Sequence, residues 1–244
     1  MHTSEKKVLG VIGGLGPIAT AHFMELVIRM TDAQTDQQHL DMIIYNFPSI
    51  PDRTGYILDH SNPNPLPRMI AIGENLVAQG AQFIAIPCVT AHYFYKEIES
   101  AISVSVINGV RETAAHLKEH GIRTAGIMAT DGTISARLFA QELENVGITP
   151  VIPSAKRQKD VMHLIYNNIK ANRKADMERF HAVSRELHEN GAQAIILGCT
   201  ELSLIKRDYA IGAGFIDAME VLAQRSVVLC GEELKEEYHC LISN

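Results

Sequence analysis

Short apolar runs rich in Val and Ile recur along the chain, at 8–12, 42–45, 83–86, 104–107, 124–128 and 194–197. Between them lie longer stretches whose apolar residues return every three or four positions, at 18–30, 67–79, 109–119, 134–146, 158–170, 176–190 and 218–237. The first pattern predicts strands and the second amphipathic helices. Strands alternating with helices imply βαβ units and a mainly parallel sheet, hence an α/β fold. The apolar runs carry no polar alternation, as expected of strands covered on both faces.

The pattern is stated twice. "VLGVIGGLGPIATAHFMELV" and "TAGIMATDGTISARLFAQEL" share one grammar of strand, small-residue turn and helix. Each is followed, after intervening elements, by a strand that ends in cysteine: "FIAIPCVTAH" (83–92) and "AIILGCTEL" (194–202). Cys88 lies 77 residues beyond Val11 and Cys199 lies 72 beyond Ile127. Near-equal offsets predict two related α/β units. Between the first glycine turn and the first cysteine strand, "FPSIPDRTGYILDHSNPNPLP" holds five of the nine prolines and shows no clear period, the mark of a lid or a stiff surface connection.

Composition narrows the functional classes. At 244 residues and 46% hydrophobic content the chain can bury one large core or two small ones. A net charge of −6 argues against nucleic-acid binding. No apolar stretch reaches the length of a membrane span. The N-terminal apolar run is short and leads straight into glycines, unlike a signal peptide. Four cysteines do not make a disulfide scaffold, so a reduced, cytoplasmic protein is expected.

Ligands of open α/β sheets bind beyond the carboxyl ends of the strands, where Cys88 and Cys199 both sit. Each is followed by a threonine (Thr90, Thr200) and a helical pattern, and the positive end of a helix dipole favours thiolate. Cys230 and Cys240, in a terminal helix and tail, read as small buried hydrophobes. Two opposed thiols suit three tasks. A disulfide is disfavoured by the compartment. A metal needs three or four ligands, and although His22 and His92 are at hand, neither CxxC nor HExxH spacing occurs. The third task is proton transfer at a carbon centre, one thiolate removing a proton from one face while a thiol supplies one to the other.

The motifs "GVIGGLGPIAT", "PDRT", "PCVTAH", "ATDGT" and "GCTEL", in this order, resemble the aspartate/glutamate racemase superfamily, above all its aspartate racemase branch, over nearly the whole chain. The resemblance implies cofactor-independent racemisation of an acidic amino acid in a cleft between two α/β domains. One comprises residues 1–108 completed by 215–244, the other residues 109–214. It implies no metal, no cofactor, a small amino-acid substrate, no membrane or nucleic-acid partner, and a homodimer. By position, Cys88 and Cys199 become the acid/base thiols. Arg53 and Lys170 bind substrate carboxylate. Thr90, Thr130, Thr200 and Glu201 line the site, Gly14 supplies a tight turn that brings backbone amides to a carboxylate, and no residue is assigned to a metal. The family pattern has Asn where Val89 stands, so one polar contact is missing here.

Other readings have their own residues. Gly14, Gly16 and Ala19 fit G-x-G-x-x-A, but the next strand ends "MIIYNF", without the acidic residue a ribose needs. Within the superfamily, glutamate or hydantoin racemase and maleate isomerase fit two thiols as well, whereas arylmalonate decarboxylase needs one. A silent amino-acid-binding relative is the non-enzymatic alternative.

Overall fold

The computed structural model describes residues 6–243. The first half runs β1 (Leu9–Gly13), α1 (Pro17–Met30), β2 (Met42–Asn46), α2 (Arg53–Leu58), α3 (Leu66–Ala78), β3 (Phe83–Ala85), α4 (Tyr95–Ala101) and β4 (Ser105–Val106). The second runs α5 (Gly109–Glu119), β5 (Thr124–Met128), α6 (Asp131–Ser135), α7 (Leu138–Asn145), β6 (Thr149–Val151), α8 (Ala155–Met162), α9 (Met177–Glu189), β7 (Ala194–Leu197), α10 (Thr200–Asp208), β8 (Phe215–Asp217) and α11 (Ala218–Leu229).

The strands form two parallel four-stranded sheets of the same order, β2-β1-β3-β4 and β6-β5-β7-β8. The twofold statement in the sequence is thus a twofold topology, and each cysteine strand, β3 or β7, pairs with the first strand of its own sheet. Side-chain alternation sorts the strands between cores. Leu9 and Val11 of β1, with Ala125, Ile127, Ala194 and Ile196, face one core that runs through the middle of the molecule. Ile12 and Ile84 face a core under the first sheet, and Met128, Ile195 and Leu197 a core under the second. Burial on both faces explains the continuous apolar runs. The middle core is sealed by crossing helices: α5 packs on α7, α11 on α1, and α5 on α11.

Several elements depart from the sequence pattern. β6 and β8 were not visible as apolar runs. Each has three residues; β6 lies at a sheet edge and holds Pro150, and both are stabilised by pairing with partners distant in sequence. The apolar period over 134–146 is split into α6 and α7 because Arg137 takes φ 55°. The period over 158–170 is α8 continued by a π-type turn over His163–Ile169. The period over 218–237 stops at Leu229, where Cys230 and Gly231 (φ 90°) end the helix. A boundary drawn at 215 separates β8 from the sheet to which it is hydrogen-bonded; the chain returns to the first unit only at α11. Among the described residues no helix is long and apolar enough to cross a membrane.

Candidate active site

The carboxyl ends of β3 and β7 approach each other across the two units. Cys88 follows β3 and precedes a 3₁₀ turn over Val89–Phe94; Cys199 is the N-cap of α10. Both thiols are buried and both line one small polar chamber of about 10 Å³, with Arg53, Thr90, Thr130, Lys170, Thr200 and Glu201. Eight of the nine residues singled out in the sequence therefore meet in one place. Leu15, Asp52, Thr54 and Val89 complete the lining.

Gly14 does not join them. It lines a wider outer cleft of about 620 Å³, which shares Asp52, Arg53, Lys170 and Glu201 with the chamber. Its amide does not await a carboxylate, because it donates to Thr20 Oγ1 at 2.8 Å. Glycine is required there by geometry: φ is +92°, and a Cβ would stand 2.4 Å from the Phe47 backbone.

Residues from both units close the chamber. Thr90 Oγ1 lies 3.0 Å from Thr130 Oγ1 and 3.1 Å from Thr133 Oγ1, a hydroxyl cluster bridging the units. Thr130 also caps α6 by accepting from the Thr133 amide at 3.2 Å. On the other side, Lys170 Nζ is 3.9 Å from Asp52 Oδ1 and 4.2 Å from the Tyr166 ring centroid. Asp52 holds the start of α2 by accepting from the Gly55 amide at 2.6 Å, and so places Arg53 on the first helical turn. Asp52 and Tyr166 carried no sequence signal of a site; their roles come from the meeting of α2 with the α8 extension.

The surroundings of the two thiols differ. Arg53 is buried, donates to the carbonyls of Leu15 and Pro51 at 3.1 Å, and keeps its Nε without a partner. Burial lowers its pKa, but its neighbours, Cys88 first and then Asp52, more than offset this and keep the guanidinium charged. Cys199 instead donates its thiol proton to Glu201 Oε2 at 2.9 Å, and Thr200 Oγ1 donates to the same oxygen at 3.1 Å. Burial, followed by the Glu201 charge, pushes the Cys199 thiol well above its ordinary range, against a smaller opposing pull from Lys170. The helix dipole was expected to favour thiolate at both positions; at Cys199 burial and a carboxylate outweigh it. Burial lowers the pKa of Lys170 as well, but Glu201 and then Cys199 raise it further, so the ammonium stays charged.

Behind the thiols lies a second small chamber lined by Cys88, Val89, Cys199, His92 and Ser203. His92 was considered as a metal ligand, but both its nitrogens are engaged. The Gly109 amide donates to Nε2 at 3.1 Å, so Nδ1 carries the proton and donates to the Cys88 carbonyl at 3.1 Å. Burial keeps this imidazole neutral. Four residues beyond the other cysteine, Ser203 donates to Asp217 Oδ1 at 2.6 Å, and the Met219 amide donates to the same atom at 2.9 Å. Each cysteine turn is thus tied to the end of the next strand in its sheet.

The Asp/Glu/Hydantoin racemase family model matches residues 12–225, which span both cysteine turns and every other chamber residue. The chain belongs to the Asp/Glu/hydantoin racemase family. Its fold superposes on the aspartate racemase of Picrophilus torridus with a TM-score of 0.85 and 33% identity, covering 96% of this chain and 99% of that one. It is 29% identical over 228 residues to the broad specificity amino-acid racemase RacX of Bacillus subtilis (strain 168), 90% of this chain and 96% of that protein. The glutamate racemase of Francisella tularensis shares the fold at a TM-score of 0.65 and 17% identity. Family membership makes the chain an amino-acid racemase, an isomerase acting on a small substrate. It also makes sense of a glycine turn with no acidic ribose partner: the turn shapes the outer cleft.

Proposed function

We propose that this racemase inverts the Cα of an acidic amino acid, aspartate above all, without a cofactor, using Cys88 and Cys199 as the two proton-transfer groups. The observation that carries the reading is the unequal pairing of two matched thiols in one chamber: Cys88 faces a guanidinium, whereas Cys199 hands its proton to a carboxylate. The carboxylate beside Cys199 favours the thiol there and makes it the acid, and Cys88, beside the guanidinium, is assigned the part of the base. The resting site is therefore set with one base and one acid. Cys88 thiolate takes the α-proton as the Cα–H electron pair moves toward the carboxylate, and Cys199 delivers its own proton to the opposite face. Cys88 ends as thiol and Cys199 as thiolate, the arrangement that serves the other enantiomer.

The growing enediolate charge needs donors. Arg53 supplies a buried Nε without a partner, and the hydroxyls of Thr90, Thr130 and Thr200 line the same chamber. Arg53 and Lys170 together give two positive charges for the two carboxylates of aspartate. At about 10 Å³ the chamber holds no more than a water-sized guest, so the amino acid enters by separation of the units along the threonine cluster and the Asp52–Lys170 pair.

The test is racemisation of L- and D-aspartate, beside a panel of other amino acids, with no added pyridoxal phosphate, metal or nucleotide. Deuterium at Cα of the product in D₂O is expected, since the incoming proton comes from a thiol in exchange with solvent. Cys88→Ser and Cys199→Ser should each abolish net racemisation, one of them still exchanging the α-proton of a single enantiomer. Full activity in either single variant would remove the two-thiol mechanism.

A further inference from the structure

Far along α5 from the chamber, His116, His120 and the tail residue Cys240 bring three ligand atoms within 4.8 Å of one another. Cys240 was expected to be buried, but it is exposed. We propose that His116, His120 and Cys240 form a binding site for a borderline-soft divalent metal of the zinc type, which clamps the C-terminal tail onto α5.

The two histidines stand one turn apart, His116 in the last turn of α5 and His120 capping its C-terminus, with ring centroids 4.3 Å apart. His120 Nδ1 lies 2.8 Å from the His116 carbonyl, which can only accept, so His120 Nε2 keeps a free lone pair. A ring N–H donated to a backbone carbonyl is the outer-shell support that metal-bound imidazoles have. His116 is buried, so its ring is held in place beside the exposed His120. Two imidazoles and one thiolate are a donor set for Zn²⁺, with a fourth position left to solvent beside the exposed His120 and Cys240.

The tail is already held in place for this. Ile242 bridges antiparallel to Ile216 of β8 and Ser243 exchanges backbone hydrogen bonds with Gly214 and Phe215 at 2.8 Å, bonds a metal leaves intact, whereas the Leu241 amide now donates to His116 Nε2 at 3.1 Å and gives up that bond when a metal binds. Cys240 therefore sits one residue before a segment laid along β8. The Leu241 amide occupies the lone pair a metal would take on His116 Nε2. Ligation there exchanges one hydrogen bond for a coordinate bond, and the affinity expected is micromolar rather than that of a dedicated structural zinc site.

The full-length reduced protein is titrated with zinc chloride by calorimetry and with cobalt(II) in the spectrophotometer. One equivalent of zinc is expected to bind with a Kd on the order of micromolar and to raise the melting temperature. The cobalt form should show a thiolate charge-transfer band that disappears in Cys240→Ser. His120→Ala should weaken zinc binding about tenfold or more. Both substitutions lie on the surface, so both variants fold. Metal held by Cys88 and Cys199 would survive both substitutions and would inhibit racemisation. Zinc binding unchanged in both variants, or no stoichiometric binding to the wild type, overturns the proposal.

Discussion

Replacing Glu201 by glutamine tests the acid–base asymmetry directly. The glutamine carbonyl can still accept the Cys199 proton that Glu201 Oε2 accepts at 2.9 Å, so the shape of the contact persists while its charge is lost. A hydrogen bond to a charged partner is worth roughly 1.5–3 kcal/mol, against about 0.5–1.5 kcal/mol for a neutral one. The folded Cys199 pKa lies well above its ordinary value, with burial as the larger cause and Glu201 the next. Neutralising Glu201 should therefore lower the Cys199 pKa and leave it still raised, because burial is untouched. Thiolate then forms at Cys199 at lower pH, and the alkaline limb of the racemisation profile moves down with it. The assay is the pH dependence of alkylation at Cys199, read peptide by peptide against Cys88, beside the pH–rate profile in both directions. An unchanged alkylation profile at Cys199 would refute the assignment of Glu201 as the group that keeps this thiol protonated.

Arg53→Ala removes a charge-assisted contact of about 2 kcal/mol, which predicts a rise in KM for aspartate of roughly 30-fold; unchanged aspartate kinetics would detach Arg53 from substrate. His92→Leu leaves the Gly109 amide unpaired, at about 1–3 kcal/mol, and takes one of two donors from the Cys88 carbonyl, which keeps the Ala91 amide at 3.1 Å, so it should lower the melting temperature and displace Cys88 together; a stable variant with wild-type kcat would show that this imidazole positions nothing. Asp217 is buried with Oδ2 unpartnered, and burial, then Glu220, pushes its pKa from 3.8 to about 7. A raised folded-state pKa contributes stability that is complete below the unfolded value and is lost as pH rises through about 7; the shift amounts to about 4 kcal/mol at most. Asp217→Asn keeps a capping oxygen for Ser203 and Met219 without ionising, so its melting temperature should gain on the wild type as pH rises from about 4 to 8, whereas parallel melting curves would count against the shift.

Much of this protein can be read from local order alone. The α/β class, the two-unit repeat and the strand-end positions of Cys88 and Cys199 rest on periodicities that each segment carries within itself, because strands buried on both faces must be apolar throughout. Arg53, Lys170 and the threonines were legible through motifs. What those residues do to one another was not. β6 and β8 are three residues each and take their form from neighbouring strands, so no local pattern marks them. Gly14 was read as an anion-binding turn, but its amide is claimed by Thr20, a contact set by the path of α1. The largest difference is between the two thiols. Both follow an apolar strand and precede a helical turn, and on sequence grammar they are equivalent. Tertiary structure separates them, because α2 carries Arg53 to Cys88 while α10 turns Glu201 back onto Cys199. Charge acts through space, and in a buried chamber it acts strongly, so the different surroundings of the two thiols are decided by which elements meet there and not by the order of residues along the chain.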